Sequence, residues 1–315
     1  MLRSPWFRQS LADAGSVLFM GIIAALVHVS GAGLLMFPEL GALSNDIIKR
    51  PNGTWAGAPL MLLLTPLCTA VVGLIVARHM SFGVPAVLLD VGASVLLLHL
   101  MRSPIAPAIS AGLLPLVLGV HSWWYPPAIT CGTGLLALLS VTQRRFYPPA
   151  SPPTVRDVVD DMMERTPSAL GWLSPFMLVV ALLAGLAQWT GLRFILFPPL
   201  VVIGFEMFAH PQVCPWAARA WRLPLACALS AAAGVGAVSL FGVGVGAAIV
   251  VMVLGIVVLH LLDLHAPPVL AVGMLPLVMP HPGWAFVAAV AIGTSLCIVT
   301  FRLWQTLSAR WPMCR

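Results

Sequence analysis

Residues 259–278 read LHLLDLHAPPVLAVGMLPLV, which sets two histidines, an aspartate and a Pro-Pro pair inside a chain otherwise built for hydrocarbon. Residues 98–117 read LHLMRSPIAPAISAGLLPLV. Aligned without gaps, the two stretches share nine of twenty residues: Leu98/Leu259, His99/His260, Leu100/Leu261, Pro107/Pro268, Gly112/Gly273, Leu114/Leu275, Pro115/Pro276, Leu116/Leu277 and Val117/Val278. The separation is 161 positions throughout, about half the chain. An element recurring at that spacing reads as a duplicated one, and the two copies differ at their polar positions. The same spacing pairs Trp123 with Trp284, Gly132-Thr133 with Gly293-Thr294, and Leu135 with Leu296. With a slip of a residue or two, MFPELGAL at 36–43 aligns with LFPPLVVI at 196–203, and Phe82-Gly83 with Phe241-Gly242.

Composition places this duplication in a membrane. Sixty per cent of the 315 residues are apolar and only 8% are charged, with a mean hydropathy of +1.00. A soluble domain carries roughly 25% charged residues, so lipid is the solvent this surface expects. Several apolar runs reach the roughly 20 residues that cross a bilayer as a helix. The run 16–37 is too long for the apolar region of a signal peptide and is followed by others like it, so it reads as a retained first span. The six cysteines are scattered without a C-x-x-C pair; most lie in apolar runs, where they read as small hydrophobes.

Five spans are clear in the first half, near 15–36, 58–78, 83–101, 104–121 and 124–142. The sixth candidate follows a Phe-Pro pair. It is apolar in the second half, as FPPLVVIGFEMFA at 197–209, but polar in the first, as FPELGALSNDIIKR at 37–50. Loop charge decides the count, because Lys and Arg of short loops gather on the cytoplasmic side. With six spans per half and the N-terminus inside, 14 of the 16 basic residues fall inside and only Arg78 and Arg193 outside. With five spans per half the split is 9 to 7, which is no asymmetry. The expectation is therefore an all-α polytopic membrane protein of about 12 transmembrane helices, arranged as two parallel six-helix repeats with some helices short or Pro-broken. The first repeat covers 1–143 and the second 169–315. A cytoplasmic linker at 144–168, rich in proline and then in charge, joins them. Both termini then lie in the cytoplasm, and a bacterial inner membrane is the expected location. Glu39, Asp46 and Lys49 require protein shielding on the polar Phe-Pro element.

Matching prolines interrupt matching spans: Pro38 with Pro198-Pro199, Pro104 and Pro107 with Pro267-Pro268, and Pro115 with Pro276. Proline removes a backbone donor and clashes with the preceding turn, so broken or kinked helices are expected. The N-terminus of a half-helix carries partial positive charge suited to an anion. Broken helices at matching places in two halves point to a transport site, although proline also bends membrane helices with no such role. The candidate pathway residues are His265, Pro267, Pro268, His260, His99, Asp90, Glu206, Asp263 and Arg102. His99 and His260 sit at matching span ends, where a histidine either bonds a neighbouring helix or couples passage to protonation. Asp90 and Glu206 fall in apolar spans, where an ionisable group faces a partner or a wet cavity. His265 and Asp263 flank the Pro-Pro pair, and both also suit an ordinary interfacial loop.

No P-loop, H-E-x-x-H, G-x-S-x-G or paired Cys-His spacing occurs, so neither an enzyme, a metal nor a cofactor is expected. The pI near 9.4 rests on few charges, placed mostly on one side by the topology above, and does not imply nucleic acid. The stretches FEMFAHPQVCPWAAR at 205–219 and LLDLHAPPVLAV at 261–272 resemble the HPP family of small integral membrane proteins, whose name comes from a His-Pro-Pro motif. The likeness covers roughly 190–304 and, more faintly, the first half. Here one residue is inserted, giving His265-Ala266-Pro267-Pro268, and the first half offers Ser103-Pro104 and Pro107 without a histidine. Some plastid members of that family are described as nitrite transporters. The resemblance thus implies a transporter or channel for a small monovalent anion such as nitrite, its pathway between the halves. The alternatives are a non-transporting scaffold or assembly protein, and an intramembrane enzyme. The lipid bilayer and a small anion are the expected partners; oligomeric state stays open.

Overall fold

A computed structural model describes residues 5–146, 155–164, 167 and 171–310, and among these every regular element is helical. In chain order the helices are α1 (Pro5–Ser30), α2 (Glu39–Lys49), α3 (Pro59–His79), α4 (Val84–Met101), α5 (Ala108–Leu118), α6 (Tyr125–Phe146), α7 (Val155–Met163), α8 (Leu173–Thr190), α9 (Pro198–Ala209), α10 (Pro215–Ala218), α11 (Arg222–Phe241), α12 (Val245–Leu261), α13 (Pro268–Met274) and α14 (Trp284–Arg310). Short 3₁₀ turns precede α2 at Gly33–Leu35 and α9 at Arg193–Leu196, and another extends α13 through Leu275–Leu277.

Seven of these helices are long and apolar enough to cross a membrane: α1, α3, α4, α6, α8, α11 and α14. These seven are fewer than the twelve or so expected, of which some were expected to be short or Pro-broken. α12, at 17 residues, falls just short. The other apolar segments are half-length. An eleven-residue helix such as α5 runs only ~16 Å, about half of a ~30 Å hydrocarbon core. The prolines explain the difference. Pro59, Pro198 and Pro268 open α3, α9 and α13, while Pro38 and Pro107 stand immediately before α2 and α5. The first turn of a helix has no use for the missing N–H, so these prolines start helices after irregular approaches. Only Pro66 and Pro115 sit well inside one.

Burial separates the short helices from the long. Every residue of α5 from Ala108 to Val117 is buried, and so is every residue of α13. α9 is buried from Pro198 to Phe208, and α2 from Glu39 to Ile47. The long helices present apolar side chains outward, including Leu18, Leu96, Leu178 and Leu240, as helices bathed in lipid would. The short helices therefore form the centre. α2 packs on α13, α5 on α9, and α9 on α13, while α1 lies against α12 and α8 against α4.

Close backbone contact sets the tightest of these packings. A Cβ built at Gly73 of α3 would lie 1.8 Å from the Gly112 carbonyl oxygen of α5, and one at Gly234 of α11 would lie 2.2 Å from that of Gly273 in α13. Among the described residues, two non-glycine residues adopt left-handed backbone, Arg102 and Asp263. Each ends its helix by turning its N–H back: Arg102 donates to the His99 carbonyl, and Asp263 to that of His260.

The linker is more than a solvated tether. Its described part, α7, docks against the loop that follows α2, and Asp160, Met163 and Glu164 are buried there. The remainder of the expected linker lies largely outside the described residues.

Candidate functional site

Two open cavities lie at opposite ends of the helical assembly, and each borrows residues from both halves of the chain. The first, of about 320 Å³, is walled by α1, the end of α2 and the α12–α13 connection. It holds Asp13, Asn45, Lys49, His260, Asp263, His265 and Pro267. The second, of about 330 Å³, lies among the ends of α3 and α5 with Arg78, His79, His121 and Arg193. Between the two stand the buried half-helices.

The basic residues sort to the same two ends. Lys49 pairs with Asp13 at 2.6 Å beside the first cavity. Arg219 pairs with the Asp263 carboxylate and donates to its carbonyl at 2.7 Å, while Arg222 donates to Leu262 and Arg302 to Ala217. At the second end Arg78 donates to the His121 carbonyl and lies over Trp123, and Arg193 lies over Phe82.

Arg50 organises the first end. Its guanidinium, 8% exposed, faces four acids: Asp46 at 3.4 Å, Asp160 at 3.2 Å, Asp161 at 3.1 Å and Glu164 at 2.6 Å. Asp161 also accepts the Thr54 N–H. One cation against four acids leaves negative charge in excess even when His265 joins. Burial first, then the neighbouring Asp46, pushes the Glu164 carboxyl up to about 10 despite the Arg50 contact. The same acids hold the Arg50 guanidinium in its charged form. At neutral pH burial favours the protonated form of Glu164, and Arg50 stays cationic.

His265 connects this cluster to the cavity. Its Nε2 lies 3.0 Å from Asp160 Oδ2, its side chain is about one-quarter exposed, and it lines the open space. Pro267 and Pro268 are buried just behind it and begin α13. His260 stands across the cavity, half exposed and 3.6 Å from Asp13. Asp263 is on the rim. His99 and Arg102, aligned with His260 and Asp263 in sequence, are exposed and line neither cavity. The structure thus gathers His260, Asp263, His265 and Pro267 and sets His99 and Arg102 apart.

Asp90 and Glu206 lie deeper. Asp90 on α4 is fully buried against Gly112, and no donor among the described residues reaches either carboxylate oxygen. Glu206, in the last turn of α9, is buried with Oε2 unsatisfied and lies within electrostatic range of Glu39, Asp46 and Asp160. Glu39 is the interior acid that the list of sequence candidates omitted. It is the first residue of α2 and fully buried; the Ser110 hydroxyl of α5 faces it, yet no donor satisfies either oxygen. Its signal was present in the sequence, since a glutamate directly after a Phe-Pro break is costly in an apolar element. Arg50 and the α7 acids were also missed, because their pairing spans more than 100 positions with no local pattern.

No grouping of three or more His, Cys, Asp or Glu among the described residues is placed to hold a metal ion. The arrangement offers a polar entry at each end, buried half-helices between, and isolated carboxyls in the interior. Comparison with protein-family models, curated proteins and solved structures returns no match.

Proposed function

We propose that this chain is an integral membrane transporter or channel for a small monovalent anion of the nitrite kind, and a divergent, tandem-duplicated relative of HPP proteins. One observation carries the reading. Four half-helices begin at buried residues, Glu39, Ala108, Pro198 and Pro268, with cavities at both ends. Discontinuous helices whose N-termini meet at mid-depth are the usual means by which membrane transporters hold anionic groups.

The repeat reading draws support from features spaced as the sequence pairs are. Arg102 and Asp263, the two left-handed non-glycine residues, are 161 positions apart, as are the pairs Gly73–Gly112 and Gly234–Gly273. Gly132 abuts Leu35 and Leu40, and Gly293 abuts Ile195 and Leu200. Counting each half-helix with its irregular approach as one crossing gives twelve crossings in two parallel sets of six. The end bearing Lys49, Arg50, Arg219 and Arg302 is then cytoplasmic by loop charge.

The test is flux. Protein in liposomes should release entrapped nitrite, nitrate or formate faster than empty liposomes do, and His265→Ala should slow that release. A panel of such anions giving no flux above empty vesicles sinks the reading. A scaffold is the second reading, and the complete burial of the half-helices between the cavities favours it. It predicts that cysteines introduced at Ser110 or Val269 never react with small aqueous thiol reagents.

A further inference from the structure

We infer that the interior of this protein binds a proton at Glu39, delivered from the first cavity through His265 and Asp160 past Asp46 and Glu206, and that this proton travels with the anion. The inference rests on the transport reading above.

The geometry starts at the end accessible to water. His265 is the one imidazole that both lines the first cavity and contacts a buried acid, with 3.0 Å from Nε2 to Asp160 Oδ2. Histidine is the residue type best suited to take and release a proton near neutral pH. The groups facing it are Asp160 from α7, Asp46 from α2, and across the cavity Lys49, Asp13, His260 and Asp263. Behind Asp160, the last turns of the half-helices α2 and α9 contribute Asp46 and Glu206. Glu206 lies within electrostatic range of Asp160, Asp46 and Glu39, and bridging water would complete the line of carboxyls from the cavity to the centre.

Glu39 is the end of that line and its most unusual member. It is fully buried at the first position of a half-helix, with the Ser110 hydroxyl as its polar neighbour and no cation beside it among the described residues. The groups that face it are the Ser110 hydroxyl from α5, the Tyr125 phenol from α6 and Glu206 from α9. The Tyr125 hydroxyl is already committed, donating to the Ala111 carbonyl at 2.6 Å. An unpaired carboxylate in such a place is among the costliest things a membrane protein can bury. A proton is the one cation that needs no further ligands.

Position explains why proton and anion would move together. A Glu39 carboxylate occupies the positive end of α2 itself and repels any anion brought to that helix start. Once protonated, it leaves those N–H dipoles to the anion. Each occupant therefore favours the other, and the pair crosses without net charge. The step balances simply: His265 passes one proton inward and recovers one from the cavity, while Glu39 gains one from one side and loses it to the other.

The experiment uses the full chain in liposomes with an entrapped pH dye. Nitrate, which does not leak as its acid, is the probe anion, with nitrite alongside. An inward nitrate gradient should acidify the lumen with wild-type protein. Glu39→Gln should reduce that acidification at least tenfold, and Glu206→Gln severalfold, with elution and melting of both variants compared with wild type. Should Glu39→Gln fail to fold, Glu206→Gln and His265→Gln read the same path. Anion flux without acidification, or acidification unchanged in the Glu39 and Glu206 variants, overturns the proton site and leaves transport standing. Acidification driven by a potassium–valinomycin potential without any anion flux, and lost in Glu39→Gln, overturns anion transport and keeps the proton site. Neither flux nor acidification overturns both.

Discussion

Replacing Gly73 with alanine tests the packing on which every functional statement depends. The added methyl carbon would lie 1.8 Å from the Gly112 carbonyl oxygen, 2.5 Å from its carbon and 2.8 Å from its Cα. All three are backbone, so no rotamer change relieves the clash. Restoring an ordinary contact of 3.4 Å requires α3 and α5 to part by about 1.6 Å. A gap of 0.5–1 Å already forfeits roughly a quarter to a half of a dispersion contact, and these two helices meet along much of their length. The cost should reach the upper end of the overpacking range, about 3 kcal/mol. For a chain of 315 residues that lowers Tm by roughly 4–5 °C. Gly234→Ala, needing about 1.2 Å of retreat from the Gly273 carbonyl, should behave alike with a somewhat smaller drop. Gly236→Ala is the control, because nothing lies within 4 Å of its Cβ position; it should melt at or slightly above wild type through better helix propensity. Thermal unfolding in detergent, followed by tryptophan fluorescence, reads all three. A Gly73→Ala protein that melts within about 2 °C of the Gly236→Ala control would falsify the close approach of α3 and α5.

Three further outcomes follow from the charged end. Arg50→Ala leaves four acids facing one another, and removal of one partner from a buried ionic cluster costs about 3–5 kcal/mol; a Tm within about 2 °C of wild type would show that α7 does not dock on Arg50. The Glu164 carboxyl is raised to about 10 by burial and by Asp46, so its folded value exceeds its unfolded one. Its stabilising share is then complete below the ordinary carboxylate range and disappears as pH climbs toward 10. Melting curves between pH 5 and 9 should decline in wild type and flatten in Glu164→Gln, and equal slopes would exclude that assignment. Arg219→Ala breaks an exposed pair with Asp263 and should cost under about 1 kcal/mol; a loss above twice that would mean the pair anchors the rim of the cavity.

The long helices were legible because lipid imposes a simple rule on them. Runs near 58–78, 83–101 and 124–142 became α3, α4 and α6 almost residue for residue, since hydropathy over some 20 residues has few other meanings. The run near 104–121, expected as one of the crossings, is only partly helical. Its apolar residues are real, but Ser103 to Pro107 run as an irregular approach and only Ala108–Leu118 is helical. Hydropathy measures solvent preference and is blind to whether a buried segment is coiled. The prolines carried that information in their position, at helix starts, where a missing N–H is harmless, more than in their number. The α7 acids were opaque for the opposite reason. Charge in a Pro-rich linker reads as solvated, and only Arg50, 110 positions away from Asp160, makes it otherwise.

One helix then accounts for why the two halves of the chain diverge at the stretch 259–278. α7 occurs once, and it docks where Arg50 of the first half and His265 of the second come together. The residue aligned with His265 is Pro104, whose carbonyl accepts the Trp55 indole N–H at 3.0 Å. His99 and Arg102 are likewise exposed although their aligned partners, His260 and Asp263, line a cavity. Under the repeat reading, the linker breaks a two-fold arrangement by covering one of two equivalent entries. A histidine in one copy and none in the other is the outcome that such an asymmetry produces, and it is why sequence equivalence at this stretch did not translate into equivalent surroundings.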